Sequence, residues 1–155
     1  GLGIGERCGN TSMDQMIVNL KLMGQYDDAV DLAVLNDYVN KISDYCDVPL
    51  PKNYPVFGSD AFETATGVHA AAVIKAFRKG DRGLANRVYS GVPADVFGRE
   101  QSITIGPMSG RSNVIFWLEQ RGHKTEEDLV DRIFKRAKSS STILTDAEIL
   151  SEVGV

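Results

Sequence analysis

The opening stretch, Gly1-Leu-Gly-Ile-Gly-Glu-Arg-Cys-Gly-Asn10, places glycine at alternate positions and again at position 9, just ahead of an amphipathic run. Glycine there lets the backbone take positive φ or approach another group closely. A helix starting beyond it presents unpaired N–H groups and the positive end of its dipole. Such a turn suits a polar or anionic ligand, and on the residues alone a plain tight turn before a helix is an equal reading. Known glycine-loop patterns fail on spacing. G-x-G-x-x-G read from Gly3 requires glycine at position 8, where Cys8 stands, and no Gly-Lys-Ser/Thr follows to make a P-loop.

The 155 residues suffice for one domain with a core, at 43% hydrophobic and 25% charged. A formal net charge of −4 argues against a nucleic-acid partner, which needs a basic footprint to neutralise phosphates. Apolar runs are far too short for a bilayer span, and no secretory segment opens the chain, so the expectation is a cytoplasmic protein without membrane contact. Cys8 and Cys46 have no metal spacing and are expected as free thiols. The chain begins inside a motif and without methionine, which reads as a piece of a longer protein.

The periodicity predicts a mainly α chain with little β. Asn10, Thr11 or Ser12 caps a helix carrying Met13, Met16, Ile17, Leu20 and Met23 on one face, with Gly24 as the stop. Those methionines and Trp117 are expected in the core. A second helix runs from about Asp31 to Tyr45, with Val34, Leu35, Tyr38, Val39, Ile42 and Tyr45 at three- and four-residue spacing. Pro49, Pro51 and Pro55 make 47–60 a stiff, extended linker. Residues 70–77 form a helix closed by Gly80, 102–105 alternate as a short strand, and 114–118 give the next helix its buried side. Further helices start at Thr125 and at Thr145, where Thr145 with Glu148 spells a capping box.

Gly3-Ile-Gly-Glu-Arg-Cys-Gly-Asn10 resembles the GIGERxGN signature of 2-isopropylmalate and homocitrate synthases. Ala65-Thr-Gly-Val-His69 resembles that family's SGIH segment, and Ile105-Gly-Pro-Met-Ser-Gly-Arg111 is similar to its GKHSGR run. The resemblance spans about residues 1 to 122 and implies the last strand-helix unit of a metal-dependent (β/α)8 (TIM) barrel followed by small helical subdomains. The implied segments are 1–46, the barrel end and a following helix; 47–60, the linker; 61–100, a subdomain with the catalytic histidine; and 101–155, a second helical subdomain. The implied activity is that of an acyltransferase, condensing acetyl-CoA with a 2-oxo acid. 2-Oxoisovalerate, for leucine biosynthesis, is the first choice, and homocitrate or citramalate synthesis is the same-chemistry alternative. The family's other metal ligands lie upstream of the glycine signature, so the stretch alone is expected to be inactive.

Carried over residue by residue, the resemblance makes Asn10 a ligand of a divalent Mg, Mn or Zn ion and lines the barrel mouth with Glu6 and Arg7, which contact substrate. It makes His69 a proton-transfer residue reaching into the active site of the other protomer of a homodimer, with Tyr89 beside it. The flanks depart from the family: Thr64-Ala65 and Ala70-Ala71 stand where His-Glu and Gln-Asp are common. Without the resemblance, a lone helical histidine such as His69 reads as structural or solvent-facing, and Tyr89 equally as a half-buried interface residue. His123 reads as a helix-end residue suiting the dipole. Lys75, Arg78, Lys79, Arg82 and Arg87 read first as a solvated face, and second as a contact for the phosphates of coenzyme A. The competing class is a non-catalytic helical dimerisation module.

Overall fold

In the computed structural model, residues 1–27 and 29–154 are described. The elements are α1 (Met13–Leu22), α2 (Val34–Cys46), β1 (Glu63–Thr64), α3 (Gly67–Arg78), α4 (Arg82–Ala85), a 3-10 turn (Ala94–Phe97), β2 (Ser102–Ile103), α5 (Arg111–Gln120), α6 (Glu127–Ser139) and α7 (Asp146–Val153). They form two compact units. Gly1–Phe62 and Ser90–Glu100 make the first, Glu63–Tyr89 and Gln101–Val155 the second.

The first unit packs Val18 of α1 and Leu35 and Val39 of α2 against Leu32, Val56, Phe57, Phe62, Ala94 and Phe97. Of the six residues expected on the α2 stripe, Val34 and Tyr45 at its two ends face solvent. Asp47 ends this helix in the left-handed region at φ +53, donating its N–H back to Asp44. The segment 47–60 is not extended. Gly58 donates to the Tyr54 carbonyl and Asp60 to that of Lys52, so the prolines set up successive turns that deliver Val56 and Phe57 to the core. A Cβ on Gly58 would collide with the Lys52 carbonyl oxygen, so only glycine closes this turn.

On α1 the methionine stripe is not buried: Met16 is 51% and Met23 70% exposed, while Asp14 and Val18 take the inside positions. The helix is rolled away from its apolar face because Asp14 finds donors within the core, as described below. Trp117 is buried as expected.

In the second unit α5 is central and buried nearly all round. Its Phe116 joins Ala70, Val73, Ile74 and Ile103, whereas Val114, Trp117 and Leu118 pack with Ile105, Val130, Ile133, Ala137, Leu144 and Ile149. Truncating a fully buried leucine such as Leu118 to alanine typically costs about 2–5 kcal/mol. α6 shows the cleanest amphipathic spacing, burying Val130, Ile133 and Ala137 along one face. α7 begins with the predicted reciprocal cap: Glu148 N–H donates to Thr145 Oγ1 at 3.2 Å, and Thr145 N–H to Glu148 Oε2 at 2.8 Å. The short strands β1 and β2 pair in parallel, Glu63 with Ser102 and Thr64 with Ile103.

Candidate functional site

The opening loop of the first unit folds back on itself. Asn10 N–H donates to the Gly3 carbonyl at 2.8 Å and Gly9 N–H to that of Glu6 at 3.0 Å. Gly9 sits at φ +89, and a Cβ there would collide with the Gly3 carbonyl oxygen; no other residue fits. Leu2 and Arg7 also adopt left-handed conformations, at φ +56 and +58, which for side-chain-bearing residues cost of order 1–3 kcal/mol each.

Leu2 is held by the residue that sequence reasoning missed. Asp14 is fully buried and accepts from Leu2 N–H at 2.9 Å, from the Tyr54 hydroxyl at 2.7 Å and from Gln15 Nε2 at 3.2 Å. Burial raises the pKa of its carboxyl, but these donors outweigh burial and hold it below the ordinary value. Tyr54 is moved the other way, upward, by its burial and by the Asp14 carboxylate. An acidic residue in a first helical turn ordinarily signals only the dipole, so nothing local in the sequence marks Asp14 as an anchor.

Glu6 and Arg7 emerge from this loop with side chains 85% exposed and paired to each other at 3.1 Å. Asn10 donates Nδ2 to the Ile4 carbonyl at 3.0 Å, which fixes the roll of its amide and leaves Oδ1 as the oxygen able to meet a cation. Among the described residues no group of three His, Cys, Asp or Glu side chains converges to hold a metal ion.

The second unit brings together His69 and Tyr89. Their rings stack with centroids 4.3 Å apart and planes inclined by 27°. His69 lies on the exposed first turn of α3, and Tyr89, 61% exposed, is held at φ +57. Val68, Leu84 and Met108 are further exposed apolar side chains of the same unit.

The two motifs at 65–69 and 105–111 prove to be the two sides of one contact. Gly67 N–H donates to the Met108 carbonyl at 3.0 Å, and a Cβ on Gly67 would lie 2.7 Å from Gly110 N. Beneath them, buried Ser109 and Asn113 both donate to the Ala65 carbonyl, at 2.7 and 2.9 Å. Ser109 Oγ also accepts from Gly106 N–H at 2.9 Å, and Asn113 Oδ1 accepts from Gly110 N–H at 3.1 Å. Lys138 of α6 closes the far side, donating to the Pro107 and Ser109 carbonyls. Sequence reasoning treated the serine and glycine of this run only as a family mark; their meaning is a contact some forty residues away in the chain.

The chain is 32% identical over 137 residues to the homocitrate synthase AksA of Methanopyrus kandleri, covering 88% of this chain and 32% of that protein. It is 26% identical over 154 residues to the (R)-citramalate synthase CimA of Methanocaldococcus jannaschii, 97% of this chain and 30% of the relative. Against the "Probable 2-isopropylmalate synthase" of Ignicoccus hospitalis the identity is 26% over 136 residues, 88% and 32% of the two chains. The chain belongs to the homocitrate, citramalate and 2-isopropylmalate synthase family. It spans about a third of the length of these relatives. No protein-family model matches it.

For a member of this synthase family, the carried-over residues fall into two groups. Glu6, Arg7 and Asn10 share one loop of the first unit, and His69 with Tyr89 form one pair in the second. Of the basic cluster, Arg78 is engaged by Glu119 at 3.0 Å, and Arg87 donates to the Gly83 carbonyl. His123 stacks on Trp117 rather than on any candidate site residue. Cys8 and Cys46 are exposed free thiols, and no helix among the described residues is long and apolar enough to cross a membrane.

Proposed function

We propose that this chain is the C-terminal part of an acetyl-CoA-dependent condensing synthase, a cytoplasmic acyltransferase in which Gly1–Asn10 and α1 close a (β/α)8 barrel. The observation that carries this reading is the exposed, stacked His69–Tyr89 pair, with His69 in the first turn of a helix whose approach is tied at the Ala65 carbonyl by Ser109 and Asn113. In the reaction the acetyl methyl carbon loses a proton and bonds to the keto carbon of the 2-oxo acid. The keto oxygen gains a proton, and water then cleaves the thioester to release coenzyme A. His69 moves a proton during condensation, and the Tyr89 hydroxyl orients the imidazole or the substrate.

A divalent Mg, Mn or Zn ion, when bound, polarises the keto group and stabilises the developing alkoxide. Asn10 would supply one hard oxygen to it, and Glu6 and Arg7 would line the approach of the oxo acid. Lys75, Lys79 and Arg82 would meet the phosphates of coenzyme A. The exposed apolar side chains Val68, Leu84 and Met108 of the second unit support a homodimer in which His69 serves the partner's barrel.

The proposed oxo acid is 2-oxoisovalerate, with the homocitrate and citramalate precursors as alternatives of the same chemistry. Thiol release by the complete synthase is measured with each 2-oxo acid whose acetyl adduct is 2-isopropylmalate, citramalate or homocitrate. The highest kcat/KM with 2-oxoisovalerate is expected. Preference for another of the three reassigns the substrate, and no release with any of them contradicts the condensing reading.

A further inference from the structure

The polar groups beneath α3 do more than fill the core. A buried carbonyl ordinarily accepts from one donor, yet the Ala65 carbonyl receives both Ser109 Oγ at 2.7 Å and Asn113 Nδ2 at 2.9 Å. Neither side chain is spent elsewhere alone. Each ties the same carbonyl to the loop that precedes α5: Ser109 through Gly106 N–H, and Asn113 through Gly110 N–H and the Thr104 carbonyl. Both residues are at most 2% exposed. Fully satisfied buried networks of this sort fix one backbone geometry, because every alternative leaves a polar group unpaired.

What they fix is the departure of the chain from β1 into α3. Ala65 is followed by Thr66, the residue that caps α3, and by Gly67, whose backbone lies against Gly110 closely enough that a methyl group would meet Gly110 N at 2.7 Å. His69 is two residues further on, in the first turn. The α3 N-cap has no side-chain hydrogen bond of its own, so the helix start is held from outside, by this clamp and by Gly67 N–H on the Met108 carbonyl.

We propose that Ser109 and Asn113 are positioning residues for His69, and that the Gly67–Gly110 contact sets how far the first turn of α3 projects. The inference rests on the proposed proton-transfer role of His69. A displacement of about 1 Å at a reacting group can cost on the order of 10²-fold in rate while leaving ground-state binding almost intact. The clamp therefore acts on turnover, through the imidazole.

The test uses the complete synthase with two variants that reach the clamp differently. Ser109→Ala removes a hydroxyl from the Ala65 carbonyl. Gly67→Ala removes no hydrogen-bonding group and introduces the methyl contact with Gly110. Expected for both is a fall in kcat of roughly 10- to 100-fold, with the KM for the oxo acid within about twofold. In a His69→Ala background neither variant should lower kcat further, since a residue that works through another has nothing left to lose. If Ser109→Ala does not accumulate as folded protein, Gly67→Ala carries the same comparison. Unchanged kcat in the folded variants, or a loss as large with His69 absent as with it present, overturns the positioning role. Normal turnover by His69→Ala alone is a different failure: it removes the catalytic reading itself and the inference with it.

Discussion

Replacing Asp14 by asparagine should destabilise the first unit by about 2–4 kcal/mol, although the change keeps the side chain's size. The carboxylate is fully buried and accepts from Leu2 N–H at 2.9 Å and the Tyr54 hydroxyl at 2.7 Å, each bond to a buried charge being worth roughly 1.5–3 kcal/mol. The amide oxygen of asparagine can keep one of these donors, while its NH2 group turns toward the other and cannot accept from it. The pH dependence gives a second handle. Burial alone would raise the Asp14 carboxyl, but the bonds from Tyr54, Leu2 and Gln15 depress it below its ordinary 3.8. A depressed folded-state value means that the stabilisation is fully present above the unfolded value, and is lost as pH falls from 3.8 through the folded one. Asp14→Asn should therefore unfold earlier in urea at pH 7 and lose less stability than the parent on acidification below pH 4. Some acid loss should survive, because Glu148 is also depressed, by the Thr145 N–H and hydroxyl. Urea titrations followed by circular dichroism at pH 7 and across the acid range measure both effects. A variant within about 0.5 kcal/mol of the parent at pH 7 would show that Asp14 does not anchor the loop.

Gly9→Ala should destabilise the opening loop by at least about 1 kcal/mol, because it demands a left-handed alanine whose Cβ meets the Gly3 carbonyl oxygen; an unchanged urea midpoint would contradict that geometry. The 155-residue chain on its own should release no thiol from acetyl-CoA above background with Mg²⁺ or Mn²⁺ and 2-oxoisovalerate, since in the proposed site Asn10 would supply a single donor and no group of three His, Cys, Asp or Glu side chains converges among the described residues. Robust turnover by the purified chain would refute it. Sedimentation of the complete synthase at assay concentration should give a dimer, and a fully active monomer would rule out His69 acting across protomers.

The elements written in local pattern were legible before the structure. α6 repeats Leu129, Val130, Ile133, Phe134 and Ala137 at helical spacing, and Thr145 with Glu148 spells the cap that the hydrogen bonds then show. The glycines at 3 and 9 likewise mark two of the four positive-φ positions of the opening loop, the others being Leu2 and Arg7. What stayed hidden depends on partners distant in sequence. Periodicity put the methionines of α1 inward, because nothing near Asp14 announces that Tyr54, forty residues on, will supply a donor that makes burying a carboxylate tolerable. β1 is too short to show alternation and exists through its pairing with β2. Residues 90–100 return to the first unit after 63–89 have joined the second, an excursion no linear scan for boundaries detects. At the candidate site the resemblance pointed to Glu6, Arg7, Asn10, His69 and Tyr89, while Ser109 and Asn113 became visible only once the Ala65 carbonyl had both as donors.

The central claim, that His69 serves proton transfer from a fixed helix start, is tested most directly by steady-state kinetics of His69→Ala in the complete synthase, with Tyr89→Phe alongside. Loss of a group acting in the transition state typically costs about 10²- to 10⁴-fold in kcat, with little change in oxo-acid KM, because on the proposed reading the metal and the barrel, not His69, would hold the oxo acid. Tyr89→Phe removes a hydroxyl but keeps the ring stacked 4.3 Å from the imidazole, so its loss should be smaller. Metal content is measured on each variant to show that the site survives. A kcat for His69→Ala within about twofold of the parent, with metal intact, would contradict the account and leave His69 an exposed helical residue.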